Sequence, residues 1–257
     1  MLLAIDAGNT NITFALFDND EMKGEWRVTT HGLGTADEIA VWLIQLMKFR
    51  DLSTECVDSA IISTVVPQAL FDLQQLCQRY FRVTPMIVGS EDVDLGIRAL
   101  VDRPQEVGAD RLVNAVGAHE KYPGPKNIID FGTATTLDVV DADGNYCGGV
   151  IAPGVNLSLE ALHAAAAKLP RIAIGRARQV IGRDTQSCML SGIYWGYVGM
   201  IEGLVARMEA EFGEKMTVIA TGGLASLFAN ATDCIEYTDM DITMRGLRAI
   251  HRRNSRG

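Results

Sequence analysis

Two short segments carry the residue types that phosphate chemistry needs. The first is Asp6-Ala-Gly-Asn-Thr-Asn-Ile-Thr13 and the second Asp130-Phe-Gly-Thr-Ala-Thr-Thr136, each an Asp-x-Gly followed by hydroxyl-bearing residues. Glycine removes the Cβ that would block an oxyanion, so backbone N–H groups and Thr hydroxyls can surround phosphate oxygens. One Asp-x-Gly alone marks an ordinary turn. Two copies with the same surroundings argue for paired nucleotide loops. No G-x-x-x-x-G-K-[ST] segment occurs and no G-x-G-x-x-G follows a strand, which leaves a P-loop NTPase and a Rossmann dinucleotide binder without support. Two facing loops, one from each half, would have to grip the phosphates of ATP, with Gly222-Gly223 allowing close approach to the adenosine.

Asp6 closes an apolar run, where an unpaired carboxylate is costly unless a cation or hydrogen-bond donors offset it. Magnesium is the natural counter-ion, because it prefers carboxylate and phosphate oxygens, keeps several waters, and needs only one Asp, directly or through water. Asp130 poses the same question in the second copy. His31, His119, His163 and His251 form no close-spaced ligand set. Five scattered cysteines, an odd number without a C-x-x-C pair, argue against a disulfide framework or zinc cluster and read as reduced, mostly buried thiols.

Elements must hold these loops in place. Leu2 to Ile5 and Phe14 to Phe17 read as a strand and its return, with a third strand from Trp26 to Thr29. Thr35-Ala-Asp-Glu38 has capping-box spacing, and Ile39, Leu43, Leu46 and Met47 follow on one face, which predicts a helix from Ala36 to Arg50. Ser59 to Val66 predicts a strand, Pro67 a helix start, Pro85 to Val88 a short strand, and Gly108 to His119 a further helix. After Tyr122-Pro-Gly-Pro-Lys126 the pattern begins again: strand, Asp-x-Gly loop, second strand, acidic turn at Asp141-Ala-Asp143-Gly144. Helices are expected at Leu157 to Leu169, Thr185 to Phe212 and Ile242 to Arg252, and a strand at Val218 to Thr221. The four alanines from Ala164 to Ala167 suit close helix packing, and the tail from His251 to Gly257 reads as frayed and solvated. The repeat divides the chain into two similar lobes, 1–124 and 125–257.

Composition narrows the class. The 257 residues carry 23 Lys+Arg against 32 Asp+Glu, a net charge of −9, and 48% hydrophobic residues, enough for a substantial core. Such an acidic chain lacks the concentrated positive field of a nucleic-acid binder. The apolar stretches fall short of the roughly 20 residues that span a bilayer, and the start lacks a signal-peptide pattern. A soluble cytoplasmic protein, with no membrane and no nucleic acid, is expected.

Taken in order, Asp6-Ala-Gly-Asn-Thr10, Gly108-Ala-Asp-Arg111, Asp130-Phe-Gly-Thr-Ala-Thr-Thr136 and Thr221-Gly-Gly223 resemble the motifs of type III pantothenate kinases. Pro104 to Asn114 and Gly148 to Gly154 are also similar to that family, so the likeness spans nearly the whole chain. The resemblance implies the fold shared by acetate kinase, sugar kinases, Hsp70 and actin: α/β, with two ribonuclease-H-like lobes and a nucleotide cleft between them. It implies ATP-dependent phosphorylation of pantothenate to 4′-phosphopantothenate, the first step of coenzyme A synthesis, with Asp110 as catalytic proton acceptor. An ordinary Asp has a pKa near ~3.9, so its carboxylate is available at neutral pH. Asp110 also suits the helix dipole at its position.

By the same resemblance Asp6, Ala7, Gly8, Asn9 and Thr10, with Asn11, Ile12 and Thr13, bind ATP phosphates and Mg2+, while Thr133 contacts ATP from the second lobe. Asp130 is implied to bind a monovalent cation, K+ or NH4+. Gly108, Ala109, Asp110 and Arg111 contact pantothenate, with Arg111 serving either its carboxylate or the phosphate charge. Thr185 matches the substrate-binding Thr supplied by the neighbouring protomer of a homodimer, and its place also makes it an N-cap for the long helix.

Two stretches depart from the family pattern. Val101-Asp-Arg-Pro104 stands where Tyr-Asp-Asn-Pro is common, so the Tyr contact with substrate is not carried over. Cys188-Met-Leu-Ser191 stands where Ser/Ala-Met-Gln-Ser is common, beside the pocket implied at the dimer interface. Two other functions fit the same residues: a kinase of the same fold acting on another small hydroxyl compound, and a catalytically silent nucleotide-binding accessory protein.

Overall fold

The computed structural model describes residues 1–32, 34–165 and 169–255. The chain forms two compact units: Met1–Lys121 together with the segment beginning at Asp241, and Tyr122–Met240.

The first unit is built on a five-stranded sheet in the order β3-β2-β1-β4-β5. Its strands are β1 (Leu2–Ala7), β2 (Asn11–Asp18), β3 (Glu21–Thr29), β4 (Ser59–Thr64) and β5 (Met86–Ile87). β1, β2 and β3 pair antiparallel, whereas β4 and β5 join β1 in parallel. Alternation along the strands sends Leu3, Ile5, Phe14 and Leu16 to one face. There they pack against Ile39 and Leu43 of α1 (Ala36–Lys48) and Leu73 of α2 (Pro67–Leu76). Leu2, Ala4, Ala15 and Phe17 go to the other face, against Val113 and Val116 of α3 (Ala109–Lys121) and Leu247 and Ile250 of the C-terminal helix. The capping-box spacing is used: the Glu38 carboxylate accepts the Thr35 backbone N–H at 2.7 Å.

The second unit repeats the plan. Its sheet runs β10-β9-β6-β7-β8, so read from the other edge it has the order of the first. The strands are β6 (Lys126–Phe131), β7 (Ala134–Val140), β8 (Tyr146–Pro153), β9 (Thr217–Thr221) and β10 (Tyr237–Thr238). β6, β7 and β8 are antiparallel neighbours, while β9 is parallel to β6 and β10 to β9. Among the described residues three helices belong here, α4 (Val155–Ala165), α5 (Thr185–Phe212) and α6 (Ala225–Ala229).

Several expectations change. α7 (Ile242–Asn254) was assigned by sequence position to the second lobe, but it belongs to the first unit, because Ile242, Met244, Leu247 and Ile250 are buried there against β1 and α3. The tail read as frayed from His251 is helical through Asn254. β8 had no sequence-based expectation, since Gly148-Gly149 obscures its alternation, and α4 starts two residues earlier than the pattern suggested. Residues 166–168, including Ala166 and Ala167 of the alanine run, lie outside the described residues, as do Arg256 and Gly257, and Leu169, where the helix was expected to end, is not helical. The thiols are less uniformly buried than expected: Cys77 is buried, Cys188 is exposed, and the other three are intermediate. Burial pushes the Cys77 thiol up to about 12.

Among the described residues α5 is long and apolar enough, by length and composition, to cross a membrane, in contrast to the expectation that the apolar stretches fall short of that length. One face of it is buried in its unit, where Tyr194, Tyr197, Val198, Ile201 and Val205 pack against Ile129, Phe131 and Phe228.

Candidate active site

The loop after β1 is held by its own backbone and by neighbouring hydroxyls. The Thr30 hydroxyl donates to Gly8 O at 2.6 Å, and the Thr30 N–H donates to Thr10 O at 2.8 Å. Asn9 and Thr10 are exposed at the tip, as a phosphate-facing turn requires. The Gly8 N–H donates to Asn11 O at 3.0 Å, which closes the turn. The side chains of Ala7 and Ile12 are buried in the core, so these two residues have only backbone to offer a ligand.

Asp6 follows from the strand period. Leu3, Ile5 and Ala7 line one face of the sheet and Leu2 and Ala4 the other, so Asp6 lies on the face covered by α3 and α7. Its register partners, Thr13 on β2 and Ser63 on β4, share that face. Ser63 is fully buried and its hydroxyl has no hydrogen-bond partner among the described residues.

Asp110 reaches the same corner from another element. The Val65 N–H, just past β4, donates to Ala7 O at 3.1 Å. A Cβ on Gly108 would lie 3.6 Å from Val65 Cγ1 and 2.5 Å from Asp110 Oδ1. The first turn of α3 is therefore seated at the C-terminal ends of β1 and β4, beside the Asp6 loop, and the Asp110 carboxylate rests in the space that a side chain on Gly108 would enter. Asp110 Oδ1 accepts the Arg111 backbone N–H at 2.8 Å. Burial holds the Asp110 carboxyl above its ordinary value, opposed by that N–H and by the Arg111 charge. Ala109 and Arg111 flank it on α3, both partly buried. A cavity of about 340 Å³ adjoins, lined by Val65, Leu70, Ile87 and Val88 with the hydroxyl residues Thr64 and Ser90.

In the second unit Asp130 takes the position that Asp6 has in the first. Its register partners are Thr136 on β7 and Thr221 on β9. Gly222, at φ +86°, is packed so closely that a Cβ would overlap the Asp130 carboxylate and lie 2.7 Å from Phe131 N. That contact accounts for Gly222 without any ligand, whereas Gly223 faces open space. Gly132 and Thr133 are exposed in the loop between β6 and β7. Sequence reasoning missed what supports that loop. A Cβ on Gly154 would overlap the Thr133 carbonyl oxygen, and Pro153 O is held by the Tyr197 hydroxyl at 2.6 Å, itself 2.6 Å from Ser158 Oγ. No sequence motif announces Tyr197, since it reads as one more core position of a long helix.

Thr185 is exposed in the first turn of α5, but it is not the cap. Asp184 is: its Oδ1 accepts the Ser187 N–H at 2.9 Å, and the Ser187 hydroxyl returns to Asp184 Oδ2 at 2.9 Å. The Thr185 side chain is thereby released from the capping role.

Two units with one strand order, each ending its first strand in Asp-x-Gly, define a protein of the two-lobed actin-like fold class. Solved structures agree at the level of fold. An activator of 2-hydroxyisocaproyl-CoA dehydratase from Clostridium difficile, with bound ADPNP, matches with a TM-score of 0.59 at 11% identity over 99% of this chain and 96% of that one. Component A of (R)-2-hydroxyglutaryl-CoA dehydratase from Acidaminococcus fermentans matches at 0.56 and 14%, over 99% and 98%. The family model for type III pantothenate kinase matches residues 2–207. The type III pantothenate kinase of Paramagnetospirillum magneticum is 64% identical over 255 residues, 99% of this chain and 98% of the relative. That of Rhodospirillum rubrum is 65% identical over 254 residues, 99% of each. The chain belongs to the type III pantothenate kinase family.

Proposed function

We propose that this chain transfers the γ-phosphoryl group of ATP to the primary hydroxyl of pantothenate, giving 4′-phosphopantothenate and ADP, with Asp110 accepting the hydroxyl proton. The reading fits a soluble, cytoplasmic enzyme at the entry to coenzyme A synthesis. The observation that carries the role of Asp110 is its seat beside the Asp6 loop, with Gly108 stripped of the Cβ that would fill its space.

Phosphoryl transfer with a loose transition state asks for alignment and charge stabilisation more than for strong basicity. Asn9 and Thr10 at the tip of their loop hold phosphate oxygens, and Thr133 serves as a further ATP contact. Arg111, one residue from Asp110, is placed to meet the pantothenate carboxylate or the phosphate. The apolar walls of the adjoining cavity suit the branched dimethyl carbon next to the reacting carbon of pantothenate.

Asp6 has the donor chemistry Mg2+ prefers, one carboxylate in an oxygen-rich corner with Thr13 and Ser63. Asp130, opposite the hydroxyl residues Thr136 and Thr221, offers oxygen donors to K+ or NH4+. The ions supply positive charge against the phosphates when bound. Thr185 is proposed to serve the site of a neighbouring protomer. The exposed apolar residues Val180 and Ile181 near it, with Ile151 on β8 and Leu157 on α4, supply surface for a homodimer.

Coupled ADP detection with purified protein, pantothenate, MgATP and potassium, omitting each in turn, tests the reading. ADP release that requires pantothenate is expected. Nucleotide binding without it would instead favour an accessory protein, and equal turnover of unrelated alcohols would move the substrate elsewhere.

A further inference from the structure

α7 lies beyond residues 2–207, the stretch that the family model matches, and returns from the far end of the chain to cross α3. The crossing is backbone against backbone. A Cβ on Gly117 would overlap Ile242 O, and one on Gly246 would overlap Val113 O. Beside that contact lies Asn114, 2% exposed, whose Oδ1 accepts the Thr243 hydroxyl at 2.7 Å. Asn114 stands four residues after Asp110, one helical turn along the same face. The outer end of the pair is tied separately: Arg248 bridges Glu120 at 3.5 Å and Asp20 at 3.2 Å, and Arg252 pairs with Glu120.

We infer that Thr243 is a positioning residue for phosphoryl transfer: through Asn114 it fixes the rotation of α3 about its axis, and so the direction in which Asp110 meets the acceptor hydroxyl. The two glycines bring the helices close, and the apolar side chains around them, Val113 and Val116 against Leu247 and Ile250, pack without directional preference. The hydrogen bond between Thr243 and Asn114 adds a directional constraint to that packing. Its place one turn from Asp110 puts the constraint at the catalytic end, whereas the Arg248 and Arg252 pairs act at the other. Small angular errors there become displacements of the carboxylate, to which transfer rates are steep.

The inference rests on Asp110 as proton acceptor, so the test includes Asp110→Asn. Thr243→Val removes the hydroxyl at constant shape, and Thr243→Ser keeps it. The expected result is a fall of about tenfold in kcat for Thr243→Val, with KM for ATP within about twofold of the wild type, and recovery of kcat in Thr243→Ser. In an Asn114→Ala background, adding Thr243→Ala should cost nothing further, since the hydroxyl acts through Asn114; this pair also serves if Thr243→Val does not fold. Wild-type kcat in folded Thr243→Val, or a full additional loss in the double variant, overturns the inference. If Asp110→Asn is inactive while Thr243→Val turns over normally, positioning alone fails. Should Asp110→Asn turn over normally, the proton-acceptor reading fails and this inference with it.

Discussion

Gly108 and Asp110 share one space: a Cβ on the first would stand 2.5 Å from Oδ1 of the second. Gly108→Ala should therefore turn the Asp110 carboxylate aside while disturbing little else, because the nearest other atom, Val65 Cγ1, is at a comfortable 3.6 Å. We expect a loss of about 10- to 100-fold in kcat/KM with a thermal midpoint close to the wild type. Unchanged turnover would separate Gly108 from the chemistry.

Asp110→Asn removes proton acceptance at constant volume and should lower kcat by about 10²- to 10⁴-fold with ATP binding retained. Stability should move the other way. Burial raises the Asp110 pKa in the folded chain, so between its unfolded and folded pKa values the native state holds the extra proton. The contribution of the group to stability is present at low pH and is lost as pH rises through the folded pKa. The Asn variant escapes that loss, so its thermal midpoint should exceed the wild type at neutral pH and converge with it in acid. The acid limb of wild-type kcat/KM should likewise lie above that of an ordinary Asp. Melting curves and rate profiles across pH check both.

Ion dependence separates the two Asp-x-Gly carboxylates. EDTA should abolish turnover by removing Mg2+. Replacing potassium with sodium should slow the wild type, and Asp130→Asn should erase the difference between the two salts. A wild type indifferent to the monovalent cation would remove that role from Asp130.

Thr185 and Asp110 offer a complementation experiment. If each site takes Asp110 from one protomer and Thr185 from its partner, Asp110→Asn and Thr185→Val homodimers should each be impaired. Co-expressed mixed dimers should contain one fully native site and regain activity. Failure to regain it, in dimers shown by mass to be mixed, would place both residues in one protomer.

Gly117→Ala sets two effects against each other. Alanine gains about 1 kcal/mol in helix propensity over glycine. The added methyl, however, overlaps the Ile242 carbonyl oxygen, and overpacking of this kind costs about 1–3 kcal/mol. Net destabilisation is expected in chemical denaturation, because a backbone atom cannot swing away as a flexible side chain would.

Both Asp-x-Gly loops were legible in the sequence because they are local: an apolar strand, a glycine and a run of hydroxyls lie within about a dozen residues of each other. The helix at Ala36 was legible through its Thr35–Glu38 spacing, and the start of α2 through Pro67. β8 was not, since two adjacent glycines carry no facing preference, and α7 was placed with the wrong lobe, since amphipathic spacing says which face is buried but not against what. Thr185 looked like a cap because a hydroxyl before a helix often is one, yet Asp184 competes for the same N–H and wins with a charged acceptor.

The sequence by itself determined the strand–loop–strand repeat, the acidic groups at its turns and the family to which they point, all of them properties of neighbouring residues. Tertiary structure alone decided that Asp6 faces the layer bearing Asp110, that Gly222 packs against the Asp130 carboxylate and the Phe131 backbone, and that a helix from the far end of the chain braces α3. Those are contacts between segments tens to more than a hundred residues apart. Only burial of complementary faces, not local preference, selects which of them meet.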